Sequence, residues 1–245
     1  MKQGFFEIIE NKALTASVYQ MRLSGDTSDI TASGQFVNVK LAGKFLRRPI
    51  SVCDCENGVL TLVYKVVGKG TEDMSRMKTG DRLDILTGLG NGYDLSLSGD
   101  APLLIGGGAG VPPMYLLCRK LTEAGKKCSV ILGFGSKDEV FYEEKFKELG
   151  ADVYVTTVDG SYGTRGFVTD VMDSISYTHF YTCGPEPMLK AIYSKSKTGG
   201  SFSFEERMGC GFGACMGCSC KTITGYKRIC REGPVMRKEE ILWES

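Results

Sequence analysis

Along the first part of the chain, apolar and polar side chains alternate in short runs. Residues 4–10, 17–23, 35–39, 59–67 and 82–86 are rich in β-branched and aromatic types, and clusters of Gly, Asn and Asp separate them. Period-two alternation with this punctuation predicts antiparallel strands closing into a barrel or sandwich. One piece, 70–77, reads as a helix capped by Thr71. From about residue 99 the pattern changes: apolar runs at 102–105, 128–134, 152–156 and 179–183 alternate with helical stretches at 112–124, 140–149, 167–172 and 187–195. Strand–helix alternation of this kind predicts a doubly wound parallel sheet. A polar, Gly-ended stretch at 195–200 reads as a linker to a third, cysteine-rich segment. The expected division is 1–98, 99–200 and 201–245.

Charge nearly cancels, with 30 Lys+Arg against 29 Asp+Glu, which argues against a nucleic-acid or anionic-membrane surface. The uncharged run at 101–118 carries three prolines and four glycines, so it cannot form a continuous membrane helix. The N-terminus turns acidic by Glu7 with no basic-then-apolar leader, and a soluble cytoplasmic protein with reduced thiols is expected. Two counts stand out: 32 glycines, and 10 cysteines of which five fall between Cys210 and Cys230.

Cys210, Cys215 and Cys218 are spaced C-x4-C-x2-C, and Cys230 follows after eleven residues. A loop of three thiolates closed by a distant fourth is the plant-type [2Fe–2S] pattern. Gly209, Gly211, Gly213, Ala214 and Gly217 allow the backbone to approach inorganic sulfide. A four-cysteine zinc site would more often come as two CxxC pairs, and a reducing compartment disfavours disulfides. Cys220 competes with Cys230 for the fourth position, and the distant closure favours Cys230.

Upstream, Arg48-Pro49-Ile50-Ser51 can set a guanidinium on a diphosphate and a hydroxyl near a ring, and Gly70-Thr71 offers N–H donors at a helix start. Taken alone, Arg-Pro-Ile-Ser reads equally well as an edge strand. Two glycine-rich turns, 106–113 and 183–188, end predicted parallel strands, where open α/β sheets bind ligands. Neither is a G-x-G-x-x-G fingerprint. His179, the one histidine, reads as a structural residue at a strand start.

These motifs, in this order, closely resemble the electron-transfer subunits of NAD-dependent (type B) dihydroorotate dehydrogenases, within the ferredoxin–NADP reductase superfamily. The tail 206–218 and the closing segment 227–235 are the most specific part. The resemblance implies an antiparallel six-stranded FAD-binding β-barrel, an α/β NAD-binding domain and a C-terminal [2Fe–2S] segment. It implies an FMN-containing catalytic subunit as partner, in a heterotetramer with two of each subunit. Electrons would pass from that FMN through the cluster and FAD to NAD⁺ during pyrimidine biosynthesis.

The roles it implies are specific. Cys210, Cys215, Cys218 and Cys230 ligate iron; Arg48, Gly70 and Thr71 hold the FAD diphosphate. Pro49, Ile50 and Ser51 lie at the flavin edge, with Val63, Tyr64 and Lys65 along the flavin or its ribityl chain. Gly108, Gly110, Pro113, Cys183 and Gly184 shape the nicotinamide site. No catalytic base is expected, because proton abstraction belongs to the partner. Met208, Met216 and Trp243 fit a partner interface and core packing equally well. NAD is expected over NADP, with Asp159 opposing a 2′-phosphate and Arg165 favouring one. The alternatives are a reductase subunit serving another partner, such as a bifurcating NADH-dependent ferredoxin–NADP reductase or a sulfide dehydrogenase, and a non-enzymatic metal-binding module.

Overall fold

A computed structural model describes residues 1–243; Glu244 and Ser245, the end of the expected third segment, lie outside the described residues. The first unit comprises β1 (Lys2–Ala13), β2 (Val18–Ser24), β3 (Phe36–Lys40), β4 (Arg48–Glu56), β5 (Val59–Lys65) and β6 (Arg82–Leu89), with α1 (Lys69–Ser75) before β6. The six strands close into an antiparallel barrel in the order β1-β2-β5-β4-β3-β6. β1 permits the closure. Its first half pairs with β6 and most of its second half with β2, with a register shift between Ile8 and Glu10 that bends the strand. Alternation then points Ile8, Met21, Val37, Val39, Leu62 and Ile85 into one interior cluster.

Thr71 does not cap α1. Gly68 does, and Thr71 is the third helical residue, its Oγ1 accepting from the N–H groups of Val67 (3.0 Å) and Gly68 (3.4 Å). A hydroxyl inside the first turn can reach back to free N–H groups much as a cap reaches forward, so the sequence signal is similar.

The second unit holds α2 (Val111–Glu123), α3 (Glu143–Glu148), α4 (Val168–Met172) and α5 (Glu186–Lys195). Its strands are β7 (Pro102–Gly107), β8 (Ser129–Phe134), β9 (Asp152–Thr157), β10 (Thr164–Arg165), β11 (His179–Cys183) and β12 (Gly200–Ser203). Beyond these lie a hairpin of β13 (Ser219–Thr222) and β14 (Gly225–Arg228), and then β15 (Val235–Arg237). The sheet order is β10-β9-β8-β7-β11-β12-β15, parallel except for β15. α2 and α3 pack on one face and α4 and α5 on the other, which is the doubly wound arrangement. The uncharged run at 101–118 divides between β7 and α2, and no helix among the described residues is long and apolar enough to cross a membrane.

Two local expectations change. The helix expected from residue 140 starts only at Glu143, because Phe141 packs edge-on against Phe134 (5.4 Å between centroids) and Tyr142 takes φ 68°. Aromatic packing overrides helix propensity there. The polar stretch expected as a linker at 195–200 ends inside β12, which with β15 extends the nucleotide sheet. His179 is buried, with Nε2 3.0 Å from Ser201 Oγ, and burial lowers its pKa; its setting is structural.

Asn91, in the connection from β6 to β7, secures the returning C-terminal segment. Its backbone N–H donates to Gly233 O (2.6 Å), and its Nδ2 donates to Glu232 O (3.0 Å) and Val235 O (2.7 Å). Its Oδ1 accepts from Val235 N–H at 2.9 Å. Asn91→Ala removes the side-chain bonds and is expected to lower stability by about 2 kcal/mol, measured by urea unfolding. Asn91→Asp keeps the acceptor but sets a carboxylate oxygen against two carbonyl oxygens, and should lose at least as much.

Candidate functional site

The two arginines of the Arg-Pro-Ile-Ser region separate in role. Arg47 is tied down, its Nη1 2.9 Å from Asp84 Oδ1 and its Nη2 3.1 Å from Asp84 Oδ2. Arg48 lies against the first turn of α1: a Cβ on Gly70 would stand 2.3 Å from its Nε. The structure thus brings Arg48 and Gly70 together as a cationic corner with glycine-thin backbone. The Thr71 hydroxyl is engaged locally, which leaves its main chain to face a phosphate. Tyr64 is buried and donates its hydroxyl to Asn11 Oδ1 (3.1 Å), so it too can offer a ligand only its backbone. Val63 is buried, and Lys65 is exposed with Nζ 3.9 Å from Glu139 Oε1.

Along β4, Ile50 packs toward the barrel core, while Pro49 and Ser51 line an outer cavity of about 130 Å³. Phe36, Met208, Pro234 and residues 203–206 complete its wall. A second cavity of about 330 Å³ shares Phe204, Glu205 and Glu206 and is bounded across from them by Gly184, Pro185, Cys220 and Trp243. Glu205 is accessible within this groove, yet the protein packed around it raises its pKa by burial.

The two glycine turns meet at the switch point between β7 and β11. A Cβ on Gly110 would sit 2.1 Å from Cys183 O, and one on Gly107 would sit 2.4 Å from Met188 Sδ. Gly108 differs: its φ is +50° and nothing lies within 4 Å of a Cβ position, so its backbone faces open space. Pro112 and Pro113 open α2 and remove two of its N–H donors. That helix start therefore suits shaping a ring site better than gripping a phosphate. Cys183 is buried, and burial pushes its thiol up to about 12; it is neutral.

The four predicted ligand cysteines come together as two pairs. Cys215 Sγ accepts from Cys210 N–H (3.4 Å), and Cys218 Sγ accepts from Cys230 N–H (3.5 Å). Burial raises the Cys210 pKa, but N–H groups of Phe212, Cys215 and Ala214 aimed at its sulfur bring it down to about 6. Burial and the adjacent Cys218 sulfur push Cys230 up to about 12. Among the described residues no three His, Cys, Asp or Glu side chains gather as a single-ion site. Each iron of a two-iron cluster takes two thiolates, so paired sulfurs with N–H groups pointed inward fit the [2Fe–2S] group. Cys220 lines the second cavity instead. Cys215 is exposed at the surface beside the exposed Phe212 and Met216, whereas Trp243 packs on Phe202, Phe204 and Tyr193.

One residue escaped the sequence reading. Asn38, on β3 opposite Pro49, is buried and donates Nδ2 to Cys210 O at 3.2 Å, while its Oδ1 has no partner among the described residues. Its signal was a polar residue within an apolar strand, 36–39, where both barrel faces are covered. The groove residues 203–205 also went unread, because nothing in their local pattern distinguishes a wall from a linker.

Residues 205–242 match the family described as the iron–sulfur cluster binding domain of dihydroorotate dehydrogenase B, and residues 104–194 match the oxidoreductase NAD-binding domain. The chain is 42% identical, over 98% of each sequence, to the dihydroorotate dehydrogenase B (NAD(+)) electron transfer subunit of Bacillus pumilus (strain SAFR-032). The protein of that name from Fusobacterium nucleatum subsp. nucleatum is 42% identical over 95% of each. A solved NADH-dependent reduced ferredoxin–NADP oxidoreductase, studied for flavin-based electron bifurcation, superposes with TM-score 0.89 at 31% identity, covering 98% of this chain and 90% of that one. The ferredoxin NADP+ reductase of Neisseria gonorrhoeae with bound FAD and NADP shares the fold, with TM-score 0.69 and 16% identity over 80% of this chain and 90% of that one.

Two substitutions test the site. Cys215→Ser is expected to abolish the iron–sulfur absorption while FAD is retained, as read from the visible spectrum and iron content. Arg48→Ala should weaken FAD binding by about ten- to hundredfold, the worth of a charge-assisted contact, as measured by flavin release on dilution.

Proposed function

The chain belongs to the family of dihydroorotate dehydrogenase B electron-transfer subunits, and from that membership we propose how it works. It carries electrons from an FMN-containing catalytic subunit to NAD⁺ as dihydroorotate becomes orotate in pyrimidine biosynthesis, in a heterotetramer of two subunits of each kind. Bound [2Fe–2S] passes one electron at a time, and bound FAD collects two and yields them as a hydride.

The protein's own residues supply placement. Cys210 with Cys215, and Cys218 with Cys230, are the two thiolate pairs for iron. Arg48, Gly70 and the Thr71 main chain take the FAD diphosphate. Pro49 and Ser51, with the main chain of Ile50 between them, border the flavin ring, and the backbone of residues 63–65 runs along it. Gly108, Gly110, Pro113, Cys183 and Gly184 form the nicotinamide seat. The working division is 1–98 for FAD, 99–200 for NAD and 201–245 for the cluster, the last lending strands to the nucleotide sheet.

The observation that carries this reading is the shared wall of the two cavities. Residues 204–206 face Pro49 and Ser51 on one side and Gly184 on the other, and they lead within a few residues to Cys210. Flavin side, nicotinamide side and cluster loop therefore adjoin. The exposed Cys215, Phe212 and Met216 support docking of the catalytic subunit at the cluster loop. NAD is favoured by Asp159, which Ser161 holds ionised through hydrogen bonds from its Oγ (2.6 Å) and N–H (2.9 Å). A cluster held by four thiolates needs its cysteines reduced, which favours a cytoplasmic setting.

The high structural likeness to the bifurcating reductase keeps that partner class as the second reading. Reconstitution separates them. The purified subunit, mixed with an FMN-containing dihydroorotate dehydrogenase catalytic subunit, is expected to give NADH formation that depends on dihydroorotate. Absence of flavin and iron–sulfur bands, or electron delivery only to ferredoxin and NADP⁺, would overturn the proposal.

A further inference from the structure

Asn38 occupies an unusual place. Its strand neighbours Val37 and Val39 fill the barrel interior, so its own side chain lies on the outer face. There it is 1% exposed, with Nδ2 on Cys210 O at 3.2 Å and Oδ1 unpartnered among the described residues. The next loop residue, Gly211, has φ +79°, and a Cβ on it would stand 2.3 Å from Asn38 Nδ2. Only glycine lets the loop come this close. On the other side, cross-strand register sets Asn38 opposite Pro49 and Phe36 opposite Ser51. Phe36, Pro49 and Ser51 all line the flavin-side cavity.

Packing does not explain an amide at this position. Leucine has nearly the same volume and would remove the buried, unpartnered Oδ1, at the loss of the donor to Cys210 O. What the amide adds is a hydrogen bond to the main chain of a cluster ligand, made from the strand that pairs with the flavin motif.

We propose that Asn38 is the positioning residue that bridges the cluster loop and the flavin cavity, setting their separation and giving electrons a hydrogen-bonded crossing. The inference rests on the functional reading above. Each forward crossing takes one electron from the reduced cluster, which returns to its oxidised form, and adds it to the flavin. Two crossings and one proton complete the flavin's two-electron reduction, and a hydride then leaves on NAD⁺.

The crossing can be watched in reverse in the holo-subunit alone. On anaerobic mixing with NADH, flavin bleaching reports hydride arrival, and the later loss of iron–sulfur absorption reports electrons reaching the cluster. Asn38→Leu should leave the first phase at the wild-type rate and slow the second about three- to tenfold, the range for one ordinary hydrogen bond expressed in a barrier. It should also shift the cluster's reduction potential, read by redox titration. Asn38→Ser, small and polar, is the second variant for the case in which Asn38→Leu fails to fold, and it too should slow only the second phase. An unchanged second phase in either variant overturns the bridge and leaves the covalent route through Gly209 and Met208. So does equal slowing of both phases, or loss of the cluster from both variants with FAD retained, which makes Asn38 a loop anchor. A wild-type spectrum without both cofactors fails the functional reading instead, so the two failures are distinct.

Discussion

Four hydrogen bonds at Asn91 hold the point where the chain returns from its cysteine loop to the body of the molecule. Asn91 stands between the last barrel strand and the first strand of the nucleotide sheet, so this one residue ties three parts together. Its neighbour Gly90 has φ +71°, and a Cβ there would lie 2.6 Å from Pro234 Cδ. With residues 232–235 fixed, β15 is placed against β12 and Cys230 is carried back toward Cys218. The segment between β12 and β15 is thereby pinned at both ends, which lowers the entropy lost when its sulfurs converge.

A second constraint sets the flavin side against the nicotinamide side. β4 begins with the Arg-Pro-Ile-Ser motif and ends near Asp54, which takes Arg119 of α2 in an ion pair of 2.6 Å. α2 begins at the turn containing Gly108 and Gly110. One strand and one helix, joined by a largely buried ion pair, thus fix the distance between the Arg-Pro-Ile-Ser motif and the Gly108–Gly110 turn. Tyr142 adds a second tie, its hydroxyl donating to Gln20 Oε1 of β2 at 2.7 Å and accepting from Cys53 Sγ. Hydride transfer is sensitive to such placement, since reacting atoms must approach within about 3–3.5 Å.

Much of this was legible in the chain because the signals are local. Alternation marked most strands of the first unit with barrel or sandwich both open, buried runs followed by helical stretches marked the doubly wound sheet, and cysteine spacing marked the loop whose sulfurs pair. Local signals failed where distant packing decides. The helix at 140–149 lost its first turn to the burial of Phe141, and Thr71 moved from cap to third helical residue, its hydroxyl reaching back to the N–H groups of Val67 and Gly68 instead of forward into the helix. Residues 200–203 and 235–237 are too short and too ordinary to announce that they complete a sheet begun a hundred residues earlier.

The sequence by itself determined which chemistry is present: four thiols at ligand spacing, an arginine and glycines suited to a diphosphate, and glycine turns at strand ends. These depend on residue type and short spacing, and such properties survive without knowledge of the fold. Tertiary structure alone decided what adjoins what. Asn38 and Cys210 are 172 residues apart in sequence and hydrogen-bonded in space, and Asn91 meets Val235 across 144. Contacts of that range are set by barrel closure and by the return of the C-terminal segment, and no local pattern encodes them.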